Sequence, residues 1–122
     1  MASSSSRSTS PFMVLAISML LIAAAPHVNA KLTCEQVTVW LTPCISYGVF
    51  GGPVPPACCD GLRSIDKVMK TREDRITKCN CVKEGAAKIP GLDYDRCNKL
   101  PGICGTSTPY KLTRDIDCSK VK

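Results

Sequence analysis

Cysteine thiols can form disulfide bonds or bind zinc, and this chain of 122 residues contains nine of them. Eight follow a spacing with one adjacent pair and one pair separated by a single residue. These eight are Cys34, Cys44, Cys58, Cys59, Cys79, Cys81, Cys104 and Cys118. Adjacent cysteines do not easily meet ordinary disulfide geometry with each other, so Cys58 and Cys59 must bond to different, distant partners. The ninth cysteine, Cys97, lies outside this spacing.

A disulfide framework is favoured over a zinc site. The one histidine, His27, lies in a segment predicted to be removed, and adjacent or once-separated cysteines are not usual zinc-ligand spacings. Each native bridge contributes about 2–4 kcal/mol, so four are comparable to the net folding free energy of a domain. The sequence therefore predicts a cross-linked domain with no metal and no other cofactor.

Residues 1–30 have the pattern of a secretory signal peptide. A polar region with one positive charge, Arg7, precedes an apolar run at 12–25, and small residues end at Ala30. The run is too short for a membrane span, although an uncleaved N-terminal anchor is the alternative. Cleavage after Ala30 predicts a single secreted domain of residues 31–122, in a compartment that permits disulfides.

The predicted domain is moderately basic. Removal of Arg7 leaves 15 basic against 10 acidic residues, a net charge of +5. This charge favours contact with anionic lipid headgroups or cell-wall polyanions. The basic residues are spread along the chain without an aromatic platform, so no nucleic-acid partner is predicted.

Catalysis is not predicted. Residues 31–122 contain no histidine, so a serine or cysteine nucleophile has no histidine base. The carboxylate pairs Asp93/Asp95 and Asp115/Asp117 fall in a helix cap and the tail, where we expect them to be solvated. The chain is therefore not expected to be an enzyme.

Four helices are predicted to position the cysteines. The first begins after Thr33, which can form a capping box with Gln36, and ends at residues 50–53. The second follows Pro55 and Pro56, since proline is favoured in a first helical turn. Apolar residues recur at helical spacing in both. They are Val37, Leu41, Cys44 and Ile45 in the first, and Cys58, Leu62, Ile65 and Met69 in the second.

The third helix is predicted to begin at Thr71, with acidic residues in its first turn, and to end at 90–91. A short fourth helix runs from Asp93 to about residue 100, where Pro101 is expected to break it. Residues 103–122 show no periodicity and are predicted to form an irregular tail. No stretch alternates like a strand, so the predicted class is small, all-α and disulfide-rich.

Three motifs accompany the cysteine spacing. They are Leu41-Thr42-Pro43-Cys44 with Tyr47 and residues 51–53, Thr71-x-x-Asp74-Arg75, and Pro109-Tyr110-Lys111-Leu112-Thr113. Together they resemble the plant non-specific lipid-transfer proteins of type 1, within the eight-cysteine (prolamin) superfamily. The third motif departs conservatively, with Leu112 and Thr113 where that family usually has isoleucine and serine. Asn80, between Cys79 and Cys81, is polar as in type 1.

The resemblance implies a four-helix bundle wrapped by the C-terminal tail around a hydrophobic tunnel. It also implies the bridges, which spacing alone cannot choose among 105 connectivities. The implied bridges are Cys34–Cys81, Cys44–Cys58, Cys59–Cys104 and Cys79–Cys118.

The implied function is that of a secreted lipid carrier in the extracellular space or cell wall. It would carry fatty acids, lysolipids and phospholipids in its cavity and transfer them between membranes or to the cell wall, in cuticle or wax deposition or in defence. The expected partners are acyl lipids and, transiently, a membrane surface. The protein is expected to be a monomer. The alternative is an antimicrobial or enzyme-inhibitory interaction protein of the same superfamily.

The resemblance implies that Arg75 and Tyr110 meet the lipid headgroup. An arginine fork and a phenol suit a carboxylate or phosphate. The alternatives are an ion pair of Arg75 with a nearby aspartate or glutamate, and a packed Tyr110 ring. Residues expected in the cavity wall, which could otherwise be plain core, are Val37, Leu41, Leu62, Val68, Ala86, Ile89, Leu100, Ile103 and Leu112.

Two further residues are singled out. Cys97 falls on the apolar side of the fourth helix and is predicted to be a buried free thiol. An intermolecular bridge is the alternative, with exchange against Cys104 as a third possibility. Trp40 lies off the apolar face of the first helix and is expected to pack against a neighbouring loop rather than to touch a membrane.

Overall fold

The computed structural model describes residues 31–122, which form helices, turns and an irregular tail, with no strand in that range. The predicted signal peptide lies outside the described residues. We number the helices α1 to α5. They are α1 (Cys34–Leu41), α2 (Ile45–Phe50), α3 (Pro56–Val68), α4 (Arg72–Ala87) and α5 (Tyr94–Cys104), with 3₁₀ turns at Thr42–Cys44 and Cys118–Lys120.

The first predicted helix is interrupted. Its start is as predicted, because Thr33 Oγ1 accepts from the amide of Gln36 (3.2 Å) and Gln36 Oε1 accepts from the amide of Thr33 (3.0 Å). A 3₁₀ turn containing Pro43 then separates α1 from α2, since proline cannot donate the next helical hydrogen bond. α1 and α2 together correspond to one predicted helix, so the observed bundle has the four helical segments expected.

The last helix corrects the prediction that Pro101 ends it. α5 continues for three residues beyond Pro101 and stops at Gly105, whose φ of 70° is a left-handed conformation suited to glycine. Proline removes one helical hydrogen bond, but the final turn is held by other groups. Cys104 is bonded to Cys59, and its carbonyl accepts from Arg63 Nη2 at 3.3 Å.

Four disulfides join these elements, in the pairing that the resemblance implied: Cys34–Cys81, Cys44–Cys58, Cys59–Cys104 and Cys79–Cys118. Two of them meet on α4, where Cys81 holds the start of α1 and Cys79 holds the tail. The adjacent Cys58 and Cys59 bond to different partners, as their geometry requires.

The buried side chains form three separate clusters rather than one continuous core. The first contains Cys44, Tyr47, Cys58, Leu62, Leu100 and Cys104; the second Leu32, Val37, Ile65 and Cys81; the third Cys79, Cys118 and Val121. Trp40 is half-buried against the second cluster. At Trp40, α1 and α3 approach each other closely. A Cβ at Gly61 would lie 1.9 Å from the Trp40 carbonyl oxygen, and only glycine avoids this clash.

The tail is fastened to α4 by basic side chains as well as by a disulfide. Arg72 Nη2 donates to the carbonyl of Ser119 at 2.6 Å, and Lys83 Nζ to that of Ile116 at 2.7 Å. On α5, the Asn98 amide both accepts from the amide of Leu112 (2.8 Å) and donates to its carbonyl (2.9 Å). These contacts lay the tail across α4 and α5.

Asp74 joins the start of α4 to the beginning of the described chain. Only 6% of the residue is exposed, and its carboxylate accepts from the amides of Lys70 (2.9 Å), Leu32 (3.3 Å) and Thr71 (3.3 Å). The amide of Lys70, with those of Leu32 and Thr71, holds the pKa of Asp74 below its ordinary value of 3.8, although burial opposes this.

Replacing Asp74 with alanine is expected to lower the free energy of unfolding by about 2 kcal/mol at neutral pH, because the capping box is lost and one buried and two part-buried amides lose their acceptor. The pKa of Asp74 is lower in the folded state, so its contribution is present above the ordinary value of 3.8 and is lost as pH falls through the folded value. Denaturant unfolding should show a clear difference in the free energy of unfolding between wild type and Asp74→Ala at neutral pH. That difference should shrink at acid pH. Asp95→Ala, in the exposed first turn of α5, is the control and should change stability little; an equal loss there would contradict the assignment.

Candidate functional site: a hydrophobic cavity

A cavity of about 420 Å³ lies beside the first two clusters, and Tyr110, which packs against the third cluster, also lines it. It is lined by residues of all five helices, of the 3₁₀ turn between α1 and α2, of the loop after α4 and of the tail, and most of the lining is apolar. The lining residues are Val37, Thr38, Leu41, Thr42, Cys44, Ile45, Leu62, Lys78, Cys81, Val82, Gly85, Ala86, Ile89, Leu92, Cys97, Asn98, Leu100, Pro101, Thr108, Tyr110 and Leu112. The volume falls in the range of pockets that hold small-molecule ligands, roughly 300–1,000 Å³.

Most of the expected wall residues line this cavity. They are Val37, Leu41, Leu62, Ala86, Ile89, Leu100 and Leu112. They reach it from α1, α3, α4 and the loop after it, α5 and the tail, so no single helix supplies the wall. α4 contributes through Ala86, and Ile89, two residues after the end of the helix, continues the same face.

Two expected wall residues lie elsewhere. Val68 is half-buried against the second cluster. It lies six residues after Leu62, and this spacing places it on a different face of α3. Ile103 is 53% exposed. Cys104, four residues after Leu100, takes the inward position in the last turn of α5 and leaves Ile103 on the solvent side.

Lys78 is a cavity residue that sequence reasoning missed. It is 5% exposed, and its Nζ lies 3.4 Å from Thr108 Oγ1 on the tail. Burial lowers the pKa of Lys78, while the charge of Asp66 opposes that effect. A signal was present, because Lys78 precedes Ile89 by eleven residues, about three helical turns, and so falls on the same face. Because a lysine is expected to face solvent, Lys78 was not predicted to line the cavity.

Tyr110 lines the cavity, but Arg75 does not. The Tyr110 ring packs beside the cluster of Cys79, Cys118 and Val121, and burial raises its pKa to about 12, so the phenol is neutral at physiological pH. Arg75 Nε donates to the carbonyl of Lys122 at 2.5 Å. Its guanidinium therefore engages the end of the chain, which is neither the expected headgroup position nor one of the expected ion pairs.

Cys97 also faces the cavity. It is the cysteine of residues 31–122 outside the four bridges, and it is half-buried rather than fully buried. Its Sγ packs closely against the backbone of Gly48. Burial, followed by the negative charge of Asp93, raises the pKa of the Cys97 thiol, with Arg96 opposing. A neutral thiol behaves here as a small apolar wall group.

The remaining side chains offer little chemistry of another kind. Within residues 31–122, no three histidine, cysteine, aspartate or glutamate side chains are grouped as metal ligands. None of the helices in that range has the length and apolar character to cross a membrane.

Comparison with known proteins agrees with this arrangement. Residues 34–118 match the model of the protease inhibitor/seed storage/LTP family. The chain is 43% identical over 110 residues to a non-specific lipid-transfer protein of Prunus avium, which covers 90% of this chain and 93% of that protein. It is 41% identical over 110 residues to the non-specific lipid-transfer protein Cor a 8.0101 of Corylus avellana, covering 90% and 96%.

Solved structures show the same fold. The hazelnut allergen Cor a 8 superposes with a TM-score of 0.71 at 42% identity, and barley non-specific lipid transfer protein 1, in complex with a lysophosphatidylcholine, with 0.72 at 34%. Each match covers 75% of this chain and all of the other. A wheat relative, 38% identical with a TM-score of 0.65, was solved with two phospholipid molecules. The chain therefore belongs to the protease inhibitor/seed storage/LTP family, and within it to the plant non-specific lipid-transfer proteins.

Proposed function

We propose that this protein is a secreted lipid carrier that holds the acyl chains of fatty acids, lysolipids and phospholipids in its cavity and transfers them between membranes or to the cell wall. The active form would be the monomeric domain of residues 31–122, after cleavage of the predicted signal peptide. The single observation that carries the proposal is the apolar cavity of about 420 Å³.

Binding by burial explains how such a carrier works. Each methylene moved from water into the cavity contributes about 0.8 kcal/mol, so a long acyl chain binds well without directional contacts. The complexes of relatives with lysophosphatidylcholine and phospholipid support the same ligand class. No bond is made or broken, which fits carriage rather than catalysis.

The cavity favours a carrier over the antimicrobial or inhibitory alternative. Disrupting a membrane or blocking an enzyme requires a surface. An internal apolar space reduces the stabilisation that packing gives to the fold, and it is useful only when a ligand fills it. The disulfides offset that loss, since they stabilise the fold without a continuous core.

The polar part of the ligand is proposed to lie near Tyr110. Its neutral phenol can donate a hydrogen bond to a carboxylate or phosphate oxygen. Arg75 is proposed to act indirectly, by holding the carboxyl-terminal residue of the tail on which Tyr110 lies.

The test is displacement of a fluorescent fatty acid from the purified oxidised protein. We expect oleate and lysophosphatidylcholine to displace the probe at micromolar concentrations, and the protein to accelerate transfer of a pyrene-labelled phosphatidylcholine between vesicles. Heat-unfolded, reduced protein is the control and should do neither. Failure of both lipids to displace the probe would refute the carrier function.

A further inference from the structure

Lys78 is an unusual component of an acyl-chain cavity. It is the one charged side chain in the cavity lining, and it is 95% buried among groups such as Val82, Ala86 and Leu112. Moving an ammonium group from water into such surroundings is costly unless it is paired and hydrogen-bonded.

The described chain does not supply that pairing. The ion pairs of residues 31–122 join Lys31 with Glu73, Arg63 with Asp60 and Arg96 with Asp93, and none includes Lys78. An ammonium has three donors, yet the one hydrogen bond of Lys78 is a long contact to Thr108 Oγ1 at 3.4 Å. Donor capacity and positive charge are therefore left over at the cavity surface.

The other basic side chains of α4 show that this placement is specific. Arg72, Arg75 and Lys83 all reach outward to carbonyls of the tail. Among the basic side chains of this helix, Lys78 alone lines the cavity. Thr108, which accepts from Lys78, retains its own hydroxyl proton and can donate it to a ligand.

We propose that Lys78, with the Thr108 hydroxyl, forms an anion subsite that binds the ionised headgroup of an acyl ligand inside the cavity. The inference rests on the proposed carrier function and narrows its ligand class to anionic acyl lipids. A carboxylate or phosphate oxygen would supply both the missing countercharge and the missing acceptor. Fatty acids, with a carboxylate, and lysophosphatidates, with a phosphate, both carry such an oxygen. Neutral lipids of the same chain length carry no negative charge.

The experiment compares palmitate, palmitoyl lysophosphatidate and hexadecanol in displacement assays at neutral pH. We expect wild-type protein to prefer the two anions over hexadecanol. Lys78→Met should weaken anion binding about tenfold or more, the scale of a lost hydrogen bond to a charged group, and leave hexadecanol within about twofold. Lys78→Arg keeps the charge and should retain the preference. Lys67→Met, on the exposed side of α3, is the matched control and should change nothing.

The outcomes separate the two proposals. A loss confined to palmitate assigns a carboxylate, and one confined to lysophosphatidate assigns a phosphate; both support the subsite. Equal losses for anions and hexadecanol in Lys78→Met, or no loss for either anion, would overturn it. Wild-type protein that binds none of the three would instead refute the carrier function.

A second measurement does not depend on how the variants fold. In the wild-type protein, palmitate should slow exchange of the Lys78 ammonium protons, so that their resonance appears in nitrogen-detected or nitrogen-filtered NMR spectra. Hexadecanol should not have this effect. An ammonium resonance that responds equally to both ligands would exclude a direct contact with the anion.

Discussion

Replacing Ala86 with phenylalanine is expected to weaken acyl-lipid binding roughly a hundredfold while the protein still folds. Ala86 is 6% exposed and lines the cavity from α4. A phenyl ring at this position occupies space that the acyl chain would use. Exclusion of three to four methylenes at about 0.8 kcal/mol each costs about 3 kcal/mol, and each 1.4 kcal/mol is tenfold in affinity.

The fold should tolerate this ring better than a ring placed in a filled core. Overpacking costs typically 1–3 kcal/mol where no space exists, whereas here the substitution fills an existing void. Titration with palmitate and denaturant unfolding, carried out on the same preparation, measure the two effects separately. Ala87→Phe makes the same chemical change on the exposed neighbour and should bind normally. Unchanged affinity in Ala86→Phe would place the acyl chain outside this cavity.

Removing the Cys79–Cys118 bridge is expected to lower the free energy of unfolding by about 4 kcal/mol or more. The bridge closes a loop with a sequence separation of 39, for which chain entropy predicts about 4 kcal/mol of stabilisation. Cys79 is also fully buried, so its truncation to alanine adds a packing loss. The double variant Cys79→Ala, Cys118→Ala leaves no unpaired thiol from this bridge and should unfold at much lower guanidinium concentration.

The same variant should also bind lipid less tightly. The tail contributes Thr108, Tyr110 and Leu112 to the cavity, and without the bridge it is held by side-chain hydrogen bonds and apolar packing. Cys97→Ala is the control, because it removes a cysteine but no bridge, and it should shift the unfolding midpoint by little. A double variant as stable as the wild type would show that the tail is held by its hydrogen bonds alone.

Local signals predicted the helix starts and turns well. The Thr33–Gln36 and Thr71–Asp74 capping boxes each depend on residues three apart, so the sequence contains the whole interaction. The two prolines were harder to interpret. Pro43 interrupts the first helix while Pro101 does not end the last, since the outcome at Pro101 depends on contacts of Cys104 with distant Cys59 and Arg63.

The cavity could not be predicted from periodicity. Apolar helix faces normally form plain core, and an empty space lined by several helices and the tail is a property of the whole fold. The expectation of a cavity, and of its disulfide pairing, came from the resemblance to a family. Lys78 was missed because charged residues are almost never fully buried unless paired, and its position on the same helix face as Ile89 did not outweigh that expectation. Arg75 matched a family motif, yet its position is set by the chain end at Lys122.

The meeting of two disulfides on α4 has a mechanical consequence. Cys34 near one end of the domain and Cys118 near the other are bonded to cysteines two residues apart. A force applied to the two ends therefore passes through both bridges and a fraction of one helical turn. About twelve residues lie on that path, which at ~3.5 Å each limits the extension to a few tens of ångströms. Cys81 is the one lining residue of the cavity on this covalent route, and the remaining lining residues lie off it.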